Sequence, residues 1–214
     1  MRTITNWAMA CMTAAVTVLG CSKEEAKPEV KPPPSAVTKP ALSAPPPAPT
    51  PSATAKKLRE DCPQGSSGEG TFDSPCQASG TTRMMEVEWT KKIDPEGPKF
   101  KVINKSPSVI LYGKIAVYFY DKAGKQLEVK DSSGKGHPYR TCGGNNMFAG
   151  VMKAAEKAYF HFSCAKKEDV PEGAKTIEAE MQAVGFADKT EQKTDLYWRN
   201  ENLTPDERPK GGVK

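Results

Sequence analysis

Between positions 85 and 93 the chain reads MEVEWTKKI, with apolar side chains at the odd positions except Lys91 and polar ones at every even position. A period of two puts one face of an extended segment on a core and the other in water, and it leaves a helix no continuous apolar stripe. The same period returns at Phe100 and Val102, at Leu127 and Val129, at Ala158, Phe160, Phe162 and Cys164, and at Ile177, Ala179, Met181 and Ala183. Positions 109–120, VILYGKIAVYFY, read as a central strand, and 196–198 as a last short one. The turn at 121–125 places Gly124 where a positive φ is needed. Helical signals are weak, with a turn or two expected at 148–157. Six to eight short strands joined by turns predict a mainly β fold, an antiparallel β-sandwich.

This pattern occupies residues 58–204. Ahead of it, residues 22–57 carry no aromatic side chain, and ten of the 19 prolines fall between positions 28 and 51. Such a segment buries too little apolar surface to offset its ordering entropy, and its proline density favours polyproline II. It reads as a disordered Pro-rich linker, and 24 such residues span at most about 75 Å. The polar residues 205–214 read as a disordered tail.

The chain opens MRTITNWAMACMTAAVTVLGC: one positive side chain, Arg2, and then an apolar stretch at 7–19. That length fits a secretory signal and falls short of a spanning helix. Its end, Val18, Leu19, Gly20 and Cys21, resembles the lipobox of bacterial lipoproteins. The resemblance implies a signal peptide over 1–20, a mature N-terminus at Cys21, acyl chains on that residue, and a membrane as partner through them. Ser22 in the next place implies sorting to the outer membrane, on its periplasmic face, over retention at the inner one.

A second resemblance lies in the strand pattern. Asn104, Lys105 and Ser106, then Val117 through Leu127 with Phe119, Tyr120, Asp121, Gly124 and Lys125, resemble the FxLYD-type immunoglobulin-like modules of bacterial envelope proteins. Residues 156–162 are similar to the strand that follows in those modules. The resemblance implies an immunoglobulin-like sandwich serving adhesion, scaffolding or accessory binding, and a fold of this kind does not fix a function.

Of six cysteines, Cys11 leaves with the signal and Cys21 is spoken for, so Cys62, Cys76, Cys142 and Cys164 remain. An even number in an exported domain favours disulfides, and four cysteines allow three connectivities. Pairing Cys62 with Cys76 and Cys142 with Cys164 closes two local segments, so this connectivity is the one expected. The alternative is a zinc-binding or enzyme-accessory protein, with His137 and His161 joining Cys142 and Cys164 as ligands.

Other chemistry is sparse. A net charge of +5 is too mild and too evenly spread to argue for nucleic acid. Ser133, Gly134, Lys135 and Gly136 fail as a phosphate loop, because Val129 stands where Gly is needed and Gly136 where Ser or Thr is needed. Glu86 and Glu88 share the polar face of one strand, which is the ordinary position of solvated glutamates. Asp188, Glu191 and Asp195 lack the spacing of a calcium loop. Tyr112, Tyr118, Tyr120 and Tyr139 either form an exposed aromatic patch or pack along the sheet with hydroxyls at its rim. The sequence therefore predicts a protein that is not an enzyme, with no cofactor and no small-molecule substrate. Its expected partner is an envelope protein or a cell-wall polymer. The long polar segment 131–147 is the expected binding surface, with His137, Tyr139 and Arg140 as candidate contacts.

Overall fold

The computed structural model describes residues 57–214. The signal, Cys21 and nearly all of the Pro-rich linker lie outside the described residues. The rest is mainly β, with no α-helix among the described residues and only two short 3-10 turns, Lys167–Asp169 and Glu201–Leu203.

Three strands form the smaller sheet: β3 (Met85–Asp94), β4 (Gly97–Asn104) and β10 (Lys157–His161), in the order β10–β4–β3 and antiparallel throughout. The larger sheet runs β1 (Ser66–Ser67), β2 (Cys76–Ala78), β12 (Thr194–Arg199), β11 (Thr176–Ala187), β5 (Ile110–Tyr120) and β6 (Gln126–Leu127). β9 (Arg140–Gly144) shares the free edge of β5 with β6, taking Gly113 to Val117 while β6 takes Phe119 and Tyr120. All pairs in this sheet are antiparallel except β12 with β2. A third, two-stranded unit pairs β7 (Val129–Lys130) with β8 (Gly136–His137).

The alternation read from the sequence sets which side chains meet. Phe100, Val102 and Met85 of the smaller sheet join Ile115, Val117, Phe119, Ile177, Ala179, Met181 and Trp198 of the larger one in a single core. On β5 the in-between residues Ala116, Tyr118 and Tyr120 are equally buried, in a second cluster on the opposite face. β5 is therefore covered on both sides, which explains its unbroken apolar run.

The second cover is the C-terminal segment. The sequence predicts a frayed tail over 205–214, but the chain lies along the outer face of the larger sheet. Tyr118 donates its hydroxyl to the Pro205 carbonyl at 2.9 Å, and Tyr120 to that of Arg208 at 3.1 Å. The Arg208 guanidinium sits 5.0 Å from the centre of the Tyr118 ring and pairs with Glu178 beneath it. Gly211 donates its N–H to Glu178, and Arg83 reaches the Val213 carbonyl. The polar composition that suggested fraying is what satisfies this face: two tyrosine hydroxyls and two glutamates need donors and acceptors, and the strap supplies them.

Two further expectations change. The helical turn predicted at 148–157 is absent; Phe148 and Met152 enter the core instead, and Met152 exchanges both backbone hydrogen bonds with Ile110 at 2.9 Å. The segment 131–147, expected as a loop, contains β8 and β9. Pairing with β5 along the edge removes much of its freedom.

One turn motif is also explained. Asn104 is fully buried. Its Nδ2 donates to the carbonyls of Ser108, Met152 and Lys153 at 2.8, 3.1 and 3.0 Å. Its Oδ1 accepts from the N–H and hydroxyl of Ser106 at 2.9 and 2.7 Å. The Asn-x-Ser motif thus ties the end of β4, the 105–108 turn and the segment at Met152 and Lys153 before β10 into one knot.

Candidate functional site

The candidate residues of 131–147 take three separate structural roles. His137 Nε2 lies 2.9 Å from Asp131 Oδ2, at the base of the β7–β8 hairpin. Asp131 also accepts the Ser133 hydroxyl and the N–H groups of Ser133 and Lys135. The Ser133 hydroxyl, then His137, hold the Asp131 carboxyl well below the usual carboxylate range. Tyr139 packs on Tyr118 with ring centres 5.0 Å apart. Arg140 bridges the Lys130 carbonyl and Asp169. These three side chains do not converge on one point. His137 alone borders an open cleft of ≈ 590 Å³, between the hairpin and residues 206–209 of the strap.

The four domain cysteines form the two expected bridges. Cys62 and Cys76, with Cα atoms 5.6 Å apart, pin the start of the domain to β2. Cys142 and Cys164, with Cα atoms 5.4 Å apart, join β9 of the larger sheet to the turn after β10 of the smaller one. The second bridge uses both thiols that the two-Cys, two-His zinc arrangement would need as thiolate ligands.

Each face of each sheet has a different fate. The inner faces form the core, and the strap lies on part of the outer face of the larger sheet. Higher on that face Phe72, 52% exposed, makes edge contacts with Tyr112 and Tyr197 at 5.8 and 5.3 Å. The outer face of β10–β4–β3 bears instead a broad concavity of ≈ 910 Å³, lined by four lysines, Lys91, Lys92, Lys99 and Lys101, with Ile93, Tyr159 and two carboxylates, Glu88 and Asp94. Tyr159 is 56% exposed. Lys101 pairs with Glu88 at 3.0 Å, whereas Lys91, Lys92 and Lys99 make no ion pair within 4.0 Å among the described residues. Lys91 and Lys92 project from a bulge in β3, where Lys91 has φ 62° and the Trp89 indole donates to the Lys92 carbonyl at 3.2 Å. A bulge with lysines on an edge strand is a common guard against edge-to-edge pairing. Here it also raises the positive density of the concavity. Glu86 pairs with Lys105 at 3.2 Å, so both glutamates of β3 are engaged by lysines.

At one end of this face is a cluster not anticipated from sequence. His161 closes β10, opposite Lys99 of β4. Its Nε2 lies 2.8 Å from Asp94 Oδ2 and its Nδ1 3.0 Å from Glu96 Oε2. One ligand-type atom from each of Asp94, Glu96 and His161 falls within 4.8 Å of the others. Asp94 and Glu96 stand 65 or more positions before His161, and only the β4–β10 register brings them together.

Beneath the strap is a buried ionic group. Glu180 accepts from Arg83 at 3.0 Å and lies 3.8 Å from Arg208. Burial pushes the Glu180 carboxyl upward, while Arg83 and Arg208 pull it back. Burial likewise raises the Tyr118 and Tyr120 hydroxyls, so both remain neutral donors. These groups pair with one another within the fold, apart from the buried Arg208 Nε, which has no hydrogen-bond partner among the described residues, and form a latch.

No family model matches the chain, and no curated protein matches it. A solved structure that is similar is that of a hypothetical protein from Peptoclostridium difficile 630, determined by X-ray crystallography at 1.85 Å. It is 13% identical, covers 56% of this chain and 88% of its own, and superposes with a TM-score of 0.37.

Proposed function

We propose that the chain is a lipid-anchored cell-envelope protein. Acyl chains on Cys21 hold it in the membrane, the outer one on its periplasmic side, and the Pro-rich spacer carries a β-sandwich that acts as a non-catalytic binding module. The lipobox-like end of the apolar N-terminus supports the anchor. The immunoglobulin-like resemblance from Asn104 to Leu127 supports the role of the module.

The observation that carries the reading is the lysine-rich outer face of β10–β4–β3. It combines three lysines that make no ion pair within 4.0 Å among the described residues, an exposed tyrosine ring and a concave shape. Cations attract carboxylates and phosphates, and a tyrosine ring adds a flat apolar surface with a polar edge. Such a face suits a negatively charged envelope partner, and a cell-wall polymer is the partner we favour.

Two measurements test this. Cys21→Ser should remove the lipid mass and release the protein from the membrane fraction, or block its maturation; unchanged mass and attachment would sink the anchor. Purified peptidoglycan sacculi should sediment the chain at low salt, less so at high salt. Lys99→Glu together with Tyr159→Ala should weaken that sedimentation. Equal sedimentation of wild type and variant would remove this face from consideration.

A further inference from the structure

The Asp94, Glu96 and His161 cluster has properties that an ordinary surface ion pair lacks. Both imidazole nitrogens face a carboxylate, at 2.8 and 3.0 Å. Two carboxylates carry two negative charges, and one imidazolium between them neutralises only one. A divalent ion with a neutral imidazole supplies the two positive charges that the carboxylates call for, against some repulsion from the Lys99 ammonium that acts on Asp94. We propose that these three side chains form a binding site for a divalent first-row transition-metal ion such as zinc.

The ligand chemistry fits. An imidazole nitrogen with carboxylate oxygens suits ions of intermediate softness. Only one ring nitrogen can take the ion: Nε2 would share it with Asp94, and Nδ1 would then donate its N–H to Glu96, the usual carboxylate partner of a metal-bound histidine. A metal ligand must be deprotonated at the atom that binds, so affinity falls as pH is lowered.

The frame holds the ligands in place. Asp94 Oδ1 accepts the Glu96 N–H at 3.0 Å, which leaves Oδ2 for the ring. Gly97 packs so closely on the turn after β10 that a Cβ there would lie 2.4 Å from the Ala165 carbonyl oxygen. Cys164 in that same turn is bridged to Cys142. The hairpin tip that bears both carboxylates and the strand end that bears the ring are thus locked together. His161 also lines a separate cavity of ≈ 260 Å³ with Asn146, Met147 and Ser163, which gives room beside the ring for water or an outside ligand.

The inference is independent of polymer binding, which the sacculus assay scores without metal. The experiment is titration of zinc into the full-length chain with its disulfides intact, followed by calorimetry and by imidazole proton resonances. The chain has two histidines, so the signals are readily told apart. One zinc per chain should bind, and the His161 resonances should shift while those of His137 stay. His161→Gln and Asp94→Asn should each weaken binding about tenfold or more. Glu96→Gln, at a side chain 77% exposed, tests the same site with little risk to folding. No binding at millimolar zinc, wild-type affinity in both Glu96→Gln and His161→Gln, or a shift confined to His137 would each overturn the proposal.

Discussion

Asn104 shows how one side chain can decide the course of three segments. Its amide donates to three carbonyls and accepts from Ser106 while fully buried. Asn104→Ala removes the buried amide that links those three carbonyls and the acceptor of Ser106, and is expected to cost about 3 kcal/mol in denaturant unfolding. Asn104→Asp should cost more, because it sets a carboxylate against the same carbonyls. Asp131 makes the complementary case in pH. Its charged form is favoured in the folded state by Ser133 and His137, so its pKa is depressed below the unfolded value. Its contribution is therefore complete above the ordinary carboxylate pKa of about 4 and is lost as pH falls below it. The difference in melting temperature between wild type and Asp131→Asn should be widest near neutrality and should narrow on acidification. The Asn-x-Ser pattern was legible in the sequence as a turn. Its burial was not, because the partners at Met152 and Lys153 lie some 50 residues away and nothing local announces them.

Among the elements, the strands were the most legible and the coverings the least. β3, β4, β10 and β11 follow the two-residue alternation and β5 and β12 read as apolar runs, signals that depend on local sequence alone. The C-terminal strap has no periodicity, and its prolines, glycines and charges look like a tail. It is ordered by contacts with β5 and β11, above all Arg208, whose side chain is 5% exposed between Glu178 and Tyr118. Arg208→Ala leaves the nearly buried Glu180 with Arg83 alone and should cost about 3–5 kcal/mol. Deleting residues 205–214 should uncover Tyr118 and Tyr120, which dye binding to exposed apolar surface would report. A deletion that leaves stability and dye binding unchanged would mean that the strap is dispensable. The candidate cluster around His161 escaped the sequence for the same reason as the strap. Three ligand-type side chains, at the end of β3, in the β3–β4 turn and at the end of β10, become neighbours only through pairing, and the spacing of Asp94, Glu96 and His161 resembles no local motif.

At the scale of the molecule, two sheets share one core, and the Cys142–Cys164 bridge joins them. Closing a loop of this length contributes about 3 kcal/mol in the chain-entropy model. The double variant Cys142→Ala with Cys164→Ala should therefore unfold at lower denaturant while keeping its β signal by circular dichroism. The cysteine pairing was legible because count and spacing favoured local closure. The joining of opposite sheets was not, since it needs the topology. The other bridge has a mechanical consequence. If the chain is tethered through Cys21, any tension from the membrane enters the domain just before Cys62, and the bond to Cys76 hands it straight to β2. β2 lies parallel to β12 and begins opposite the buried Trp198. The segment between the two cysteines is thereby taken out of the load path. Stretched from its N-terminal side, the oxidised domain should resist as a unit. Reduction should release the segment between the two cysteines, a sequence separation of 14, as slack of about 45 Å before the sheets bear force.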